Sequence, residues 1–237
     1  GEQEGGSCLI LGGTHANELG GHMGAVLFVE NAKVEAGTLY VIPRTNNSAF
    51  THNDPQEGHP STVHITTDEG NVREFIHGSR ATNPVDQWPD PDVYVNYMGQ
   101  SLSGSENRNI VQLINTENID VTVDLHEASP EYPVINALIA HERAMNLASN
   151  VVVDMQMEGV QISLEPSPTD LRGLTHRELG DHTDTLALLM EAPNPAQGRL
   201  RDRTDEALVL TGKSETYVKA GEIGQLYVPY DENGWPI

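Results

Sequence analysis

The chain has 237 residues, 37% of them hydrophobic, and sets 35 acidic against 13 basic side chains for a net charge of −22. That length fits one large domain or one domain with a small appendage, and so negative a surface repels nucleic acid and anionic membranes, so neither is expected as a partner. No apolar run reaches the ~18 residues of a membrane span, no basic-then-apolar leader opens the sequence, and Cys8, the only cysteine, excludes an internal disulfide and a thiolate metal cluster. A soluble, cytoplasmic protein is the first expectation, with an exported one whose leader has been removed as the alternative. The acidity reads first as solubility or adaptation to salty surroundings, and second as steering of cationic substrates.

Ser7 to Leu11 is an apolar run that predicts a buried strand, with Cys8 inside it. The run breaks at Gly12-Gly13, and His15 and Glu18 follow three residues apart. That spacing puts an imidazole and a carboxylate on one side of a helical turn. A helix is expected over Glu18 to Glu30, with Leu19, Met23, Val26 and Leu27 as its apolar positions. Thr38 to Ile42 is a second strand, stopped by Pro43, and the β-α-β order predicts a parallel pair with a crossover helix. From Arg44 to Gly104 the chain is rich in Asn, Pro, Gly, His and Asp. Phe50, Phe75, Trp88, Tyr94 and Tyr97 in that stretch point to packed, functional loops.

A helix is expected at Ile110 to Asn115 and a strand at Val121 to Leu125, which delivers His126 at its end. Pro133 to Ala140 reads as another strand. His141 to Glu158 reads as an amphipathic helix burying Ala144, Leu147, Ala148, Val151, Val152 and Met155. Val160 to Leu164 is a strand, Pro166 to Gly180 a polar loop, and the apolar Asp184 to Met190 delivers Glu191. Leu200 to Leu210 reads as a final helix. The division expected is a main domain over 1–211 and a small β extension over 212–237 packed on it.

Strands alternating with helices predict an α/β fold around a mixed, largely parallel central sheet flanked by helices. Sites in such folds form beyond the carboxyl ends of the strands. His15, Glu18, His126 and Glu191 all follow expected strands, so four polar groups from three distant segments converge on one edge. Two histidines and a carboxylate are a usual protein set for catalytic zinc, and they leave a fourth position for a water whose pKa falls toward ~7. A further carboxylate must then take the proton of that water and hand it to the leaving group. Glu191 suits that role. Asp124, two residues before His126 on the same strand face, is placed to orient it.

The segments GGTHANELGG, VDLHEASPEYP and LMEAPNP resemble the zinc-binding and catalytic segments of the succinylglutamate desuccinylase and aspartoacylase family, within the zinc-carboxypeptidase-like superfamily. The resemblance runs from about Ser7 to Asn194. It implies one zinc ion held by His15, Glu18 and His126, with Glu191 as general base and a zinc-carboxypeptidase-like fold. The implied activity is hydrolysis of the amide bond in an N-acyl amino acid. A metallocarboxypeptidase acting on short peptides and a non-catalytic zinc-binding relative are the alternatives. Relatives hold the substrate carboxylate with an Asn-Arg pair, and Asn107-Arg108 is the corresponding candidate, with Arg80 and Arg44 as further cations. The implied partner is therefore a small molecule with a free carboxylate. Asn109 stands only 17 positions before His126, short of the family's span.

The other histidines carry less. His52, His59, His64 and His77 read as loop residues, His22 as packing beside the site. His176 and His182 read as structural hydrogen-bonding groups with pocket lining as the alternative.

Overall fold

Two neighbouring strands organise the molecule: β1 (Gln3–Gly12) and β5 (Val121–Ala128) run parallel, with Leu11 opposite Asp124 and Gly12 opposite Leu125. They sit inside a six-stranded sheet of order β2-β1-β5-β8-β6-β7, where β2 is Ala36–Ile42, β6 Ala137–Ala140, β7 Ser163–Pro166 and β8 Leu186–Pro193. The pairs β1/β2, β5/β8 and β6/β7 are parallel, and only β6/β8 is antiparallel. A separate antiparallel pair joins β3 (Val63–Thr66) and β4 (Val72–Phe75). The computed structural model describes residues 1–45, 50, 63–66, 72–75, 105–169, 174–194, 197 and 215–228, with backbone alone at 63–66, 72–75 and 105–109. The architecture is the mixed, largely parallel α/β arrangement expected from the sequence.

Helices cover both faces. On one, α2 (Ser105–Glu117) and α4 (Thr175–His182) meet Leu9, Leu11 and Ala187 through Ile110, Ile114 and Leu179. Each fully buried leucine there contributes about 1.5–3 kcal/mol by leaving water. On the other face, α3 (Met145–Met157), entered through the 3₁₀ turn Glu142–Ala144, packs Ala148 and Val152 on Leu138, Ala140 and Leu188. The expected apolar face of this helix is the one that packs, with Leu147, Val151 and Met155 at its margins.

Helix α1 (Leu19–Asn31) corrects an expectation. Its buried residues are Gly21 and Ala25, whereas Leu19, Met23 and Leu27 face solvent. The reason is distance. A Cβ at Gly21 would lie 2.1 Å from the Leu125 carbonyl oxygen, and one at Gly12 would lie 2.6 Å from the Ala25 Cβ. A helix pressed that closely onto a sheet presents its smallest side chains, so the bulky apolar positions are turned outward.

Three further differences concern polar segments. His15 and Glu18 lie in a turn ahead of α1, closed by Glu18 N–H donating to the His15 carbonyl at 3.2 Å, and not on a helix. The expected loop from Pro166 to Gly180 runs into α4, whose residues Thr175 to Gly180 are all buried. Within the expected β extension, Glu215–Glu222 forms a helix, α5. Tyr217 and Ala220, three apart, give it a buried edge, and Lys219 reaches back to Glu215 at 3.4 Å. Contacts to the main body come from the Tyr217 hydroxyl, which donates to the Gln197 carbonyl at 3.3 Å, and from Tyr227 N–H, which donates to that of Pro130 at 3.0 Å. The helix expected at Leu200 to Leu210 lies outside the described residues. The backbone of α2 runs through positions 109 and 110 without interruption.

Candidate active site

The turn after β1 is built by a glycine that no other residue replaces cheaply. Gly13 has φ +68°, a left-handed conformation, and a Cβ there would lie 2.9 Å from the Pro43 carbonyl oxygen. This bend points Thr14 into the sheet edge, where its hydroxyl donates to both oxygens of Asp124 at 3.0 and 3.1 Å. The Thr175 hydroxyl at the start of α4 donates to the same carboxylate at 2.8 Å. Asp124 is fully buried, and its third partner is His126 Nε2 at 2.7 Å. Side chains two apart on a strand share a face, which is how Asp124 reaches its own neighbour His126. The orienting role read from that spacing thus matches the contact. Thr14 and Thr175 were not singled out from the sequence, where an isolated threonine carries no signal.

With Nε2 held by Asp124, the His126 ring presents Nδ1 to Glu18 Oε2 at 2.9 Å. His15 Nδ1 meets the other oxygen, Oε1, at 2.5 Å, and the two imidazoles stand edge to face with centroids 4.9 Å apart. Glu18 is itself nearly inaccessible and also accepts the Glu127 backbone N–H at 3.0 Å. The donor atoms of His15, Glu18 and His126 all lie within 4.8 Å of one another, close enough to share one metal ion. Burial alone would raise the Glu18 carboxyl, but His15 and His126 outweigh it and hold the group well below the usual carboxylate range. Burial likewise opposes charge on His126, yet Asp124 and Glu18 hold its imidazole well above the usual range. A carboxylate set between two imidazoles, with no lysine or arginine paired to it among the described residues, fits a divalent metal.

Glu191 stands directly opposite His126 in the β5/β8 register, so both side chains project from one face of the sheet. Burial, against the pull of His126 and with the push of Glu18, Asp124 and Glu127, raises its carboxyl to about 8. His15, Glu18, His126 and Glu191 line one cavity of about 510 Å³, with Leu174, Leu189 and Ile139 among its apolar walls. His176 lines it too, its Nδ1 2.7 Å from the Ser167 hydroxyl, so it both bonds structurally and borders the pocket. Burial, then the charges of His126 and Arg177, push its pKa down to about 3.

Two more residues support the site. The Glu127 carboxylate accepts Gly20 N–H at 2.8 Å, pinning the start of α1 to the end of β5. Asn194 donates its side-chain amide to the Asn17 carbonyl at 3.3 Å and to Glu127 at 3.4 Å, tying the end of β8 to the His15 turn. His22 packs beside the site, with Nδ1 2.8 Å from the Pro43 carbonyl oxygen. Arg44 stacks over the Phe50 ring at 4.7 Å and does not line the cavity. Arg80, His52, His59, His77, Trp88, Tyr94 and Tyr97 lie outside the described residues, as do the side chains of His64, Asn107 and Arg108.

A second group of donors, His141, Glu142 and Asp181, also clusters closely. His141 Nε2 lies 3.0 Å from Asp181 and 3.3 Å from Glu142, while its Nδ1 accepts the Arg143 N–H at 3.3 Å. The Arg177 guanidinium lies against both carboxylates, at 2.9 Å from Glu142 and 2.5 Å from Asp181.

No protein-family profile and no curated protein sequence matches the chain. The fold does have solved counterparts. A metallo-carboxypeptidase from Burkholderia cenocepacia superposes with a TM-score of 0.50 at 12% identity, covering 79% of this chain and 48% of that one. Csd4, a D,L-carboxypeptidase from Helicobacter pylori, superposes at 0.51 and 18% identity, covering 97% and 54%. A succinylglutamate desuccinylase/aspartoacylase from Rhodobacter sphaeroides matches at 0.47 and 14%, covering 83% and 51%. The chain is thus similar in fold to the two carboxypeptidases, and it spans about half the length of each. At such identities the likeness establishes the shared carboxypeptidase-like fold.

Proposed function

We propose that this protein is a zinc-dependent hydrolase that cleaves the amide bond of an N-acyl amino acid. The observation that carries the proposal is the paired aim of the two Glu18 oxygens at His15 Nδ1 and His126 Nδ1, with Glu191 beside them on the same cavity wall. His15, Glu18 and His126 would hold one ion. When bound, it would supply a polarised water, a Lewis acid for the carbonyl oxygen, and a positive charge that favours the ionised form of Glu191.

The chain's own groups do the rest. Glu191 accepts a proton from the attacking water as the new C–O bond forms and then delivers it to the leaving nitrogen as the amide C–N bond breaks. Asp124 fixes the ring of His126 through Nε2 and keeps Nδ1 directed at the Glu18 carboxylate. The apolar wall of Leu174, Leu189 and Ile139 accommodates the acyl portion and excludes water from it. Asn107, Arg108 and Arg80 are the cationic and amide groups proposed to hold the substrate carboxylate.

Metal content and turnover together test this. One zinc per chain is expected by elemental analysis, lost in His126→Ala, and a panel of N-acyl amino acids should be hydrolysed. Turnover confined to C-terminal dipeptides would favour a carboxypeptidase. Zinc bound without turnover on either class would leave a non-catalytic binding protein, and a chain that binds no zinc would remove the metal centre altogether.

A further inference from the structure

The outward face of α1 is out of character with the rest of the chain. In a protein of 35 acidic residues and net charge −22, the 13 residues of this helix include a single charged side chain, Glu30. A helix apolar all round is normally covered on both sides. Here the sheet covers Gly21 and Ala25 only, while Leu19 is 61%, Met23 51%, Leu27 54% and Phe28 43% exposed. Leu19, Met23 and Leu27 follow one another at four-residue spacing and form a ridge along the helix. Beside the ridge runs a groove between the end of α1 and β2, walled by Leu27, Phe28, Val34 and Leu39 over Gly24 and Ala32.

We propose that this face is the twofold interface of a homodimer, in which the ridge of each copy seats in the groove of the other. Ridge and groove lie side by side on one surface, which is the requirement for a self-complementary, isologous contact. The area agrees. The exposed apolar side chains amount to on the order of 500 Å², at the upper end for the largest patch on a monomer. Two copies would bury on the order of 1,000 Å² from these side chains alone, the lower bound of a specific interface before rim residues are added. The charge pattern agrees as well. Like-charged copies repel, so they approach most readily where carboxylates are sparse, and the charged residue that lines the groove is Lys33.

The test is the mass of the full chain in solution, by sedimentation or light scattering, at tens of micromolar protein. A dimer is expected, and association should tighten as salt screens the net repulsion. Leu27→Glu should weaken association at least tenfold while leaving the circular dichroism and the zinc stoichiometry unchanged. Met23→Lys, one turn earlier, repeats the test should Leu27→Glu alter the spectrum. Val153→Glu, at a comparably exposed position on α3, should leave the dimer intact. A wild-type monomer across the salt range would overturn the proposal, whether because another segment of the chain covers α1 or because nothing does. A dimer indifferent to both α1 substitutions, or one broken equally by Val153→Glu, would overturn it too.

Discussion

Two clusters among the described residues combine histidine with carboxylates at ligand distance, and they are built to opposite ends. At the end of β5, His15 and His126 turn Nδ1 toward one carboxylate, Glu18, and a cavity opens in front of them. At the start of α3, His141 meets Asp181 and Glu142, but Arg177 lies between the carboxylates, its Nε also 3.1 Å from Asp181. Arg143 closes the same corner by donating to the Asp184 and Thr183 carbonyls at 3.1 and 2.6 Å and to that of Gly180. The second cluster carries its own cation as a guanidinium. It is a clamp that holds α4 to the 3₁₀ turn. Proximity of donors is therefore common to both, and what sets the candidate metal site apart is that no arginine or lysine is paired with its carboxylate among the described residues.

The contrast breaks first at Glu191. Glu191→Gln should lower kcat by about 10²–10⁴-fold, the usual contribution of a positioned acid–base group. Zinc content should stay at one per chain, since Glu191 is not among the three converging donors. Retained turnover would remove Glu191 from the mechanism. An equivalent change in the clamp should read out in stability and not in turnover. Arg177→Met leaves two carboxylates without their cation and should destabilise the fold by about 2–3 kcal/mol. The figure sits below the ~3–5 of a fully buried pair because Glu142 is 63% exposed. Thermal unfolding measures it, and an unchanged midpoint would show that Arg177 clamps nothing.

Acid titration probes the cavity wall beside the first cluster through His176. Its folded-state pKa is lowered to about 3, so between the unfolded value near 6.5 and about 3 the unfolded chain binds the extra proton. Stability from this group is complete above about pH 6.5 and falls as pH drops toward 3, by a few kcal/mol in all. His176→Gln should flatten that acid limb in urea titrations run across the range. The smallest effect is expected from the support of the candidate metal site. Asp124→Asn keeps the shape but weakens the hold on His126 Nε2, and should reduce zinc affinity about 10–100-fold, read by chelator competition. An unchanged affinity would mean that Thr14 and Thr175 hold a structural carboxylate only.

Much of this was legible in the residues. The apolar runs at Ser7, Val121 and Asp184 do become β1, β5 and β8 of a largely parallel sheet. Because parallel strands end together, their order alone brings His15, Glu18, His126 and Glu191 to one edge. Asp124 was legible for the same reason, since two-residue spacing on a strand fixes a shared face. The groups expected to hold a substrate carboxylate, Asn107, Arg108 and Arg80, lie where no side chain is described, and they stand as proposals.

Other features depend on partners far away along the chain. The segment Thr175 to Gly180 reads as a polar loop because nearly every side chain in it is hydrophilic, yet all six residues are buried. Thr175 finds Asp124 at a separation of 51 residues, and Arg177 finds Glu142 at 35. No local pattern announces such contacts, and a buried polar helix costs free energy until they are made. The outward turn of α1 has the same origin. Periodicity marks which side of a helix is greasy, but Gly12, Gly21 and Ala25 set how near it lies to the sheet, and that distance admits only small side chains. The sequence by itself thus determined the strands, their order of appearance and the residues they deliver, because those follow from local pattern and chain direction. Only the tertiary structure decided which polar groups are satisfied in the interior and which apolar ones remain outside, because both depend on interatomic distances between segments that the sequence keeps apart.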